Sequence, residues 1–465
     1  MSIMSEMTGD GNANKKAALL VATMIAFMTP FMGSSVNVAI PTIGKEFAMD
    51  AVSLGWVAMS YLLASSVLLV PFGRIADIYG RKRILTYGTI IFTVSSLIIG
   101  FSSSAAMLIA FRVVQGMGGA LMFSTGVAIL TSVFPAGERG KALGINVAVV
   151  YLGLSLGPFL GGLLTQHLGW RSVFLITVPL GVVVIISIFW KLKGEWVGAE
   201  GEKFDLTGSL VYGIAIVALL YGLSLLPATS GIWVIIIGVF ATVGFLWWET
   251  KVKSPVLDVR LFRTNTVFAF SNLAAFVNYS ATFAVTFILS LYLQSVRGLS
   301  AQEAGIVLVS MPAIQAIFSP ITGRLSDKIE PRILASMGMG LTTIGLGLLI
   351  FLTQDKALGF ILTSLVILGF GFALFSSPNT NAVMSSVDKR FYGVASATLA
   401  TMRQVGMTFS MGIAMLIIAV YMGRVEITPV YFSTFLISTR IAFTIFTALC
   451  FLGIFASLAR GKIKS

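Results

Sequence analysis

The sequence predicts an all-α membrane protein: fourteen transmembrane helices, built as two six-helix bundles in parallel repeat with two linker helices inserted between them. Three observations carry this. Of 465 residues, 57% are hydrophobic and 11% are charged, whereas a soluble globular chain carries about 25% charge. Apolar runs recur along nearly the whole chain, each long enough to cross roughly 30 Å of hydrocarbon as a helix. A Gly-Arg-x-x-Asp sequence occurs twice, at Gly73 and at Gly323, each time between two such runs.

The elements follow in order. In lipid every backbone polar group must be satisfied within the fold, which leaves helices or a closed barrel. The runs lack the period-2 alternation of a barrel. Helices are expected over 17–39, 53–72, 84–101, 106–134, 141–165 and 172–190, then 206–226 and 232–249, then 265–293, 303–322, 333–353, 357–384, 393–422 and 438–459. The first fourteen residues are polar, lack a signal-peptide cleavage pattern, and read as a short disordered tail. The resulting organisation is a tail (1–16), an N-terminal bundle (17–190), a linker with the extra helix pair (191–264), a C-terminal bundle (265–459) and a second tail (460–465). The segments Lys191–Asp205 and Lys251–Thr264 read as linkers.

Charge gives orientation. With the N-terminus inside, the inner segments hold 23 Lys and Arg residues and the outer segments six; Arg112 and Arg403 remain within spans. The positive-inside rule then places both termini in the cytoplasm. The formal net charge of +13 is spread over short loops rather than gathered on one patch, which argues against a nucleic-acid partner. Cys450 is the one cysteine and His167 the one histidine. An intrachain disulfide and a Cys/His metal set are therefore excluded, and no metal or cofactor is expected. There is no Walker loop, no HExxH, no pair of intramembrane carboxylates and no soluble catalytic domain, so an enzyme is not expected.

Two groups stand out chemically. Asp77 sits among Arg74, Arg81, Lys82 and Arg83, where it can cap a helix or pair with an arginine. Gly73 and Gly80 permit close approach and a tight turn. Asp327 occupies the matching place in the second half. Such a contact holds one conformation and breaks in the other; the alternative is plain anchoring by positive charge. Arg112 lies about eight residues into its helix, hence roughly 12 Å deep at 1.5 Å per residue. A charge there costs about 2.5–3.5 kcal/mol on insertion scales, so it must face a cavity or polar partners. Gln115 is its i+3 neighbour. Substrate contact or proton relay is one reading, a structural arginine bonded to carbonyls the other. Arg403 poses the same alternatives. Gly153, Gly157, Gly161 and Gly162 line one face of the fifth helix, where small residues let backbones touch, and Pro158 adds a kink. Asn37, Tyr61, Asn146, Tyr151, Asn272, Asn278, Tyr279, Gln315, Asn379, Asn381 and Gln404 outline a polar chamber or bridge helices. The 20 Met and 35 Phe are mostly packing residues. A subset lining the chamber suits broad apolar recognition, since Met adapts its shape.

These motifs carry a family resemblance. Gly73-Arg-Ile-Ala-Asp77-Ile-Tyr-Gly80-Arg81-Lys82-Arg83 resembles the signature between helices 2 and 3 of the major facilitator superfamily. Arg112-Val-Val-Gln115-Gly116-Met-Gly118-Gly119 resembles its fourth-helix motif, and Gly153 to Gly162 its antiporter-associated fifth-helix motif. Trp170-Arg171 to Pro179 and Ser396 to Gly406 are similar to segments of the 14-helix drug:proton antiporter branch. The match runs in order along the chain. It implies a monomeric cell-membrane carrier that exports small amphipathic compounds by alternating access in exchange for protons. From depth and polarity within the spans, the candidates for substrate contact or coupling are Arg112, Gln115, Asn37, Tyr61, Tyr151, Asn278, Gln315, Asn379 and Arg403. The candidates for gating are Gly73, Asp77, Gly80, Arg81, Gly157, Pro158 and Asp327.

The chain departs from the branch at one place. An acid usually precedes the Asn37-Val38-Ala39-Ile40-Pro41 segment; here Met32 stands there. None of the 18 Asp and Glu residues falls mid-span by these boundaries. A cation-selective cavity or a titratable mid-membrane relay usually needs such an acid. A facilitator or symporter for an anionic or polar solute is therefore the alternative. Coupling would otherwise fall to Asp77, Glu303, another helix-end acid, or the substrate itself.

Overall fold

The computed structural model describes residues 2–257, 259–388 and 392–461, leaving aside the side chains of residues 2–12 and of Ala136. Residues 462–465 of the expected second tail lie outside that range. Fourteen helices are long and apolar enough to cross a membrane: α1 (Ser2–Phe47), α2 (Ala51–Tyr79), α3 (Arg81–Gly100), α4 (Ala105–Val133), α5 (Ala136–Leu168), α6 (Arg171–Trp190), α7 (Leu206–Leu225), α8 (Thr229–Glu249), α9 (Thr266–Val296), α10 (Ala301–Leu325), α11 (Pro331–Leu349), α12 (Leu358–Ser385), α13 (Tyr392–Tyr421) and α14 (Pro429–Ala459). α7 and α8 pair with each other, and α7 touches both α2 and α13.

Several starts are set by local chemistry. The first turn of a helix leaves N–H groups without partners, and a short polar side chain just before it accepts from them. Asp50 accepts from Val52 and Ser53 at 2.9 Å each. Asp205 caps α7 through Gly208, and Asn265 caps α9 through Phe268. Ser300 and Glu303 form a reciprocal capping box at α10, which spends Glu303 on an exposed helix end.

Three expectations are corrected. The polar N-terminal segment is helical from Ser2 onward and continuous with α1. The first Gly-Arg-x-x-Asp sequence lies on the last two turns of α2 rather than in a loop, because nothing before Gly80 breaks the helix. Gly80, at φ +117°, is the single residue between α2 and α3. Lys191–Asp205 is not a bare linker but lies against that junction, as described below.

Matching glycines reveal the repeat. A Cβ added to Gly116 would lie 2.4 Å from the Tyr61 carbonyl, and one added to Gly369 would lie 2.3 Å from the Met311 carbonyl. Gly118 meets Phe92 N and the Gly88 carbonyl, just as Gly371 meets Thr342 N and the Gly338 carbonyl. Gly153 and Gly406 press on the carbonyls of Phe27 and Phe276. The same backbone crossings are thus built twice, α2–α3–α4 and α10–α11–α12 alike.

The repeat extends to the seam between the halves. Ser155 Oγ on α5 donates to the Pro312 carbonyl on α10 at 2.9 Å. At the matched place, Thr408 Oγ1 on α13 donates to the Leu62 carbonyl on α2 at 3.4 Å. The face opposite Asp77 is closed. There Gln294 Nε2 donates to the Val38 carbonyl at 2.9 Å, Ala51 N to the Val425 carbonyl at 3.0 Å, and His167 meets Gln302 at 2.9 Å. Gly162 and Gly305 press on the carbonyls of Ala301 and Pro158. Toward the Asp77 face, Gly140 and Gly144 on α5 and Gly393 on α13 face open space.

Candidate functional site

The polar residues gather in three places. The first is enclosed in the N-terminal bundle. Helical spacing puts Arg112 and Gln115 on one face of α4. Arg112 is 1% exposed. Its Nε donates to the Val57 carbonyl at 2.9 Å and its NH1 to Gln115 Oε1 at 2.5 Å, while Gln115 Nε2 donates to Ser96 Oγ at 2.6 Å. The guanidinium lies 4.5 Å from the Tyr61 ring centroid and 5.8 Å from that of Phe174, a geometry that attracts a cation to an aromatic face. Tyr61, Arg112 and Gln115 are therefore one unit. In this state the unit is satisfied by its own bundle.

The second place straddles the seam about halfway along the helices. The Tyr151 hydroxyl on α5 lies 3.4 Å from Ser376 Oγ on α12. One turn further on, Thr380 Oγ1 accepts from Arg403 NH2 at 2.5 Å. Tyr279 of α9 completes the group: Ser376 and Tyr151 neighbour it, and its ring centroid is 5.7 Å from the Arg403 guanidinium. Arg403 is half-buried, and its Nε has no partner. The unmet Nε is itself enclosed by protein, while the rest of the half-buried guanidinium lies beside the contact between the two bundles. Beside it, Gln404 Nε2 approaches the Leu62 carbonyl at 3.5 Å, and Ser66 meets Thr408 at 2.7 Å. Ser376, Thr380, Ser66 and Thr408 escaped the sequence reading. Isolated hydroxyls in apolar runs usually bond the carbonyl four residues back, and Thr380 does that as well, with Ser376.

A separate apolar hollow of about 460 Å³ opens between α9 and α13, with Leu273, Met402 and Val405 among its walls. Met402 and Val405 flank Arg403 and Gln404, so α13 presents a polar and an apolar face at one level.

The third place lies within the C-terminal bundle. Asn379 Nδ2 donates to the Ser271 carbonyl at 3.1 Å, and its Oδ1 accepts from Arg460 NH1 at 3.0 Å. Arg460, expected as a tail anchor, is 1% exposed and also donates to Ser457. Asn278 is fully buried with no partner for either amide atom. It sits two turns along from Ser271 on the stripe that faces Asn379. Asn37 is buried on α1 with an unpartnered Oδ1, and Gln315 is buried on α10. Thus Tyr151 and Arg403 meet each other's surroundings, Tyr61, Arg112 and Gln115 form a second group, and Asn379 belongs to a third.

The gating candidates lie where the helices cross or turn. Asp77 Oδ1 accepts from Arg81 Nε at 2.8 Å and pairs with Arg81 NH2 at 2.7 Å. Arg81 NH1 reaches across to Ser132 Oγ at 2.6 Å and the Ala128 carbonyl at 3.2 Å on α4. In the second half, Asn381 of α12 donates to Asp327 at 3.3 Å and to Ser326 Oγ at 3.0 Å. Gly73 faces Ser124 at ordinary contact distance, Gly157 packs on Ser34 and the Phe31 carbonyl, and Pro158 abuts Gly305. On the opposite face, Trp170 and Arg171 both donate to Glu46, at 2.6 to 2.8 Å, which ties the start of α6 to the end of α1.

Residues from Lys191 to Asp205 lie against the α2–α3 junction. Glu195 accepts from Lys82 N at 2.7 Å and Arg83 N at 3.2 Å. Gly198 N and Ala199 N both donate to the Asp77 carbonyl at 2.9 Å, and Arg81 N to the Trp196 carbonyl at 2.9 Å. Arg74 pairs with Glu202. Ser254 first, and then Arg74, hold the Glu202 carboxyl below the usual carboxylate range. A depressed carboxyl contributes above its unfolded value and loses that contribution as pH falls through the folded one; this pairing is accordingly intact at neutral pH and lost in acid.

Known proteins share this plan. The Major Facilitator Superfamily pattern matches residues 22–411 and 272–463. The chain is 30% identical over 445 residues to the riboflavin transporter RibZ of Clostridioides difficile, covering 95% of this chain and 96% of that one. It is 31% identical to the multidrug resistance protein Stp of Mycobacterium tuberculosis, covering 87% of this chain and 76% of Stp. It is 32% identical to the cephamycin export protein CmcT of Amycolatopsis lactamdurans, covering 85% and 83%. Among solved structures, a bacterial homologue of the human lysosomal transporter Spinster superposes with a TM-score of 0.70 at 18% identity, covering 96% of this chain and 97% of that one; that likeness speaks to the fold. The chain is a multi-pass membrane transporter and belongs to the Major Facilitator Superfamily.

Proposed function

We propose that this transporter is a secondary efflux carrier. It moves small amphipathic compounds outward by alternating access, in exchange for protons, as a monomer with both termini in the cytoplasm. The observation that carries this is the seam. Two repeated bundles are bonded to each other along one face, leave Gly140, Gly144 and Gly393 in open space toward the other, and bring Tyr151 of one bundle to Ser376 of the other midway, next to Arg403. Relatives that export drugs and antibiotics support the direction. The basic loops support a cytoplasmic Asp77 face. Substrate would bind beside Tyr151, Ser376, Thr380 and Arg403, the hollow next to Met402 offering apolar surface. Arg112, Gln115, Tyr61, Asn37, Asn278, Gln315 and Asn379 would serve coupling or shape the bundles that move. The test is substrate-driven proton flux in reconstituted vesicles with a chemically diverse panel. Flux in step with export is expected; export indifferent to the pH gradient removes the antiport claim.

One observation favours a second reading. Among the described residues the charged groups deep in the spans are guanidinium groups, with no carboxylate at that depth, and a riboflavin transporter is among the relatives. A facilitator or symporter for an anionic or polar solute fits this chemistry. Calorimetry with matched anionic and cationic ligands separates the two: preference for lipophilic cations sinks this second reading.

A further inference from the structure

We infer that Lys191–Asp205 is a strap that holds the α2–α3 junction in the state open on the Asp77 face, with Glu195 and Glu202 as its positioning residues. The inference rests on the alternating-access reading and extends it to a segment outside both bundles.

Gly80 is the residue at the N-cap of α3, and it has no side chain with which to cap. The exposed N–H groups at a helix start favour an anion. Glu195, 115 positions further along the chain, supplies it through Lys82 N and Arg83 N. Gly80 also makes room, since a Cβ there would lie 2.6 Å from Glu195 Cδ. Its glycine identity thus answers two needs, the positive φ and the approach of a carboxylate.

The other side of the junction is held by the same segment. The last turn of a helix leaves carbonyls without partners, and the Asp77 carbonyl takes two N–H donors from Gly198 and Ala199. Gly198 is close-packed as well: an added Cβ would lie 2.8 Å from Arg81 NH2. Asp77 and Arg81 are in this way held toward their own bundle, where Arg81 reaches Ser132 and Ala128 on α4. Glu202 then fastens the far end of the strap to α2 through Arg74. Positive φ at Gly194 and Gly201 bends the chain at either side of these contacts. Among the described residues the second half shows no counterpart: Ser326 to Ile329 is bonded within its own turn, and α12 supplies Asn381. Among the described residues, therefore, one gate element is held by a third party and the other by its own bundle.

The test is an electron–electron distance measurement between spin labels on Gly144→Cys and Gly393→Cys, in a Cys450→Ala background, in lipid nanodiscs without added ligand. Both label sites face open space on the Asp77 face. Wild type should favour the long distance. Glu195→Ala should shift the population toward the short one by about threefold or more while the melting temperature holds, and Glu195→Gln, which still accepts hydrogen bonds, should restore most of the long population. A purely structural role would lower the melting temperature and leave the distribution alone. Should Glu195→Ala fail to fold, Glu202→Gln is read the same way. Unchanged distributions in folded variants overturn the strap. A wild type with one distance under every ligand and gradient applied would instead sink alternating access itself.

Discussion

The two bundles solve one packing problem with different chemistry. Gly116 and Gly369 make the same backbone crossing, as do Gly88 and Gly338. Counting from those anchors, Arg112 corresponds to Leu365, Gln115 to Leu368 and Ser96 to Leu346. The polar trio is interlinked and buried; the leucine trio is equally buried, at 0–1% exposure. The C-terminal bundle shows that this frame closes well with leucine. The N-terminal bundle instead takes on a guanidinium whose insertion costs about 2.5–3.5 kcal/mol. Stability of the fold does not call for that group, which is the ground for proposing that it serves the transport cycle.

The sharpest way to break this comparison is to make the two bundles alike. Replacing a buried ionic group and its partners together by well-packed apolar residues is often neutral or stabilising by about 1–4 kcal/mol. The triple variant Ser96→Leu/Arg112→Leu/Gln115→Leu should therefore fold and melt at or above wild type while transport falls to background. A transporting triple variant would reduce Arg112 to packing. Arg112→Ala alone should also stop transport. It leaves the Gln115 carbonyl oxygen unmet and buried, at about 1–3 kcal/mol, so a moderate loss in melting temperature accompanies it. Reconstituted uptake alongside calorimetric melting reads both.

Arg403 should behave differently, because it is half-buried with an unmet Nε instead of locked. Arg403→Gln should weaken substrate binding roughly tenfold, or about 1.4 kcal/mol, with little change in melting. Binding calorimetry on both arginine variants tests the contrast; equal effects on affinity would erase it.

The fold was legible because lipid leaves few alternatives. Long apolar runs become helices, so all fourteen spans were found, and two repeated sequences exposed the duplication. Ends were less legible. Gly73 looked like a turn, yet one glycine in a helix costs only about 1 kcal/mol, and α2 runs on to Tyr79. Arg112 with Gln115 was readable from i+3 spacing. Arg460 was not, since a basic residue just past the last apolar run looks like any membrane anchor. Glu195 was invisible for another reason: nothing local in its sequence states that a helix start far back in the chain lacks a cap. Ser376 and Thr380 were hidden by the habit of hydroxyls to bond their own helix.

The smallest expected effects concern the two gate elements, where the comparison can be sharpened further. Asp77 accepts charge-assisted bonds from Arg81, which is itself held to α4, whereas Asp327 receives one neutral amide from Asn381 at 3.3 Å. The Asp77 contact carries opposite charges on both partners, whereas the Asp327 contact has an uncharged donor. An amide at position 77 keeps an acceptor for Arg81 but loses the ion pair, and exposed pairs are worth about 0.2–1 kcal/mol. Asp77→Asn should thus slow turnover by about fivefold at most, with ligand affinity unchanged. Asp327→Asn should do less than half as much, because its partner Asn381 is uncharged and no ion pair is lost. Turnover and affinity measured side by side decide it. If both substitutions slow the cycle equally, the asymmetry between the two gate elements is geometric only, and the work of holding the closed and open faces is shared evenly by the two halves.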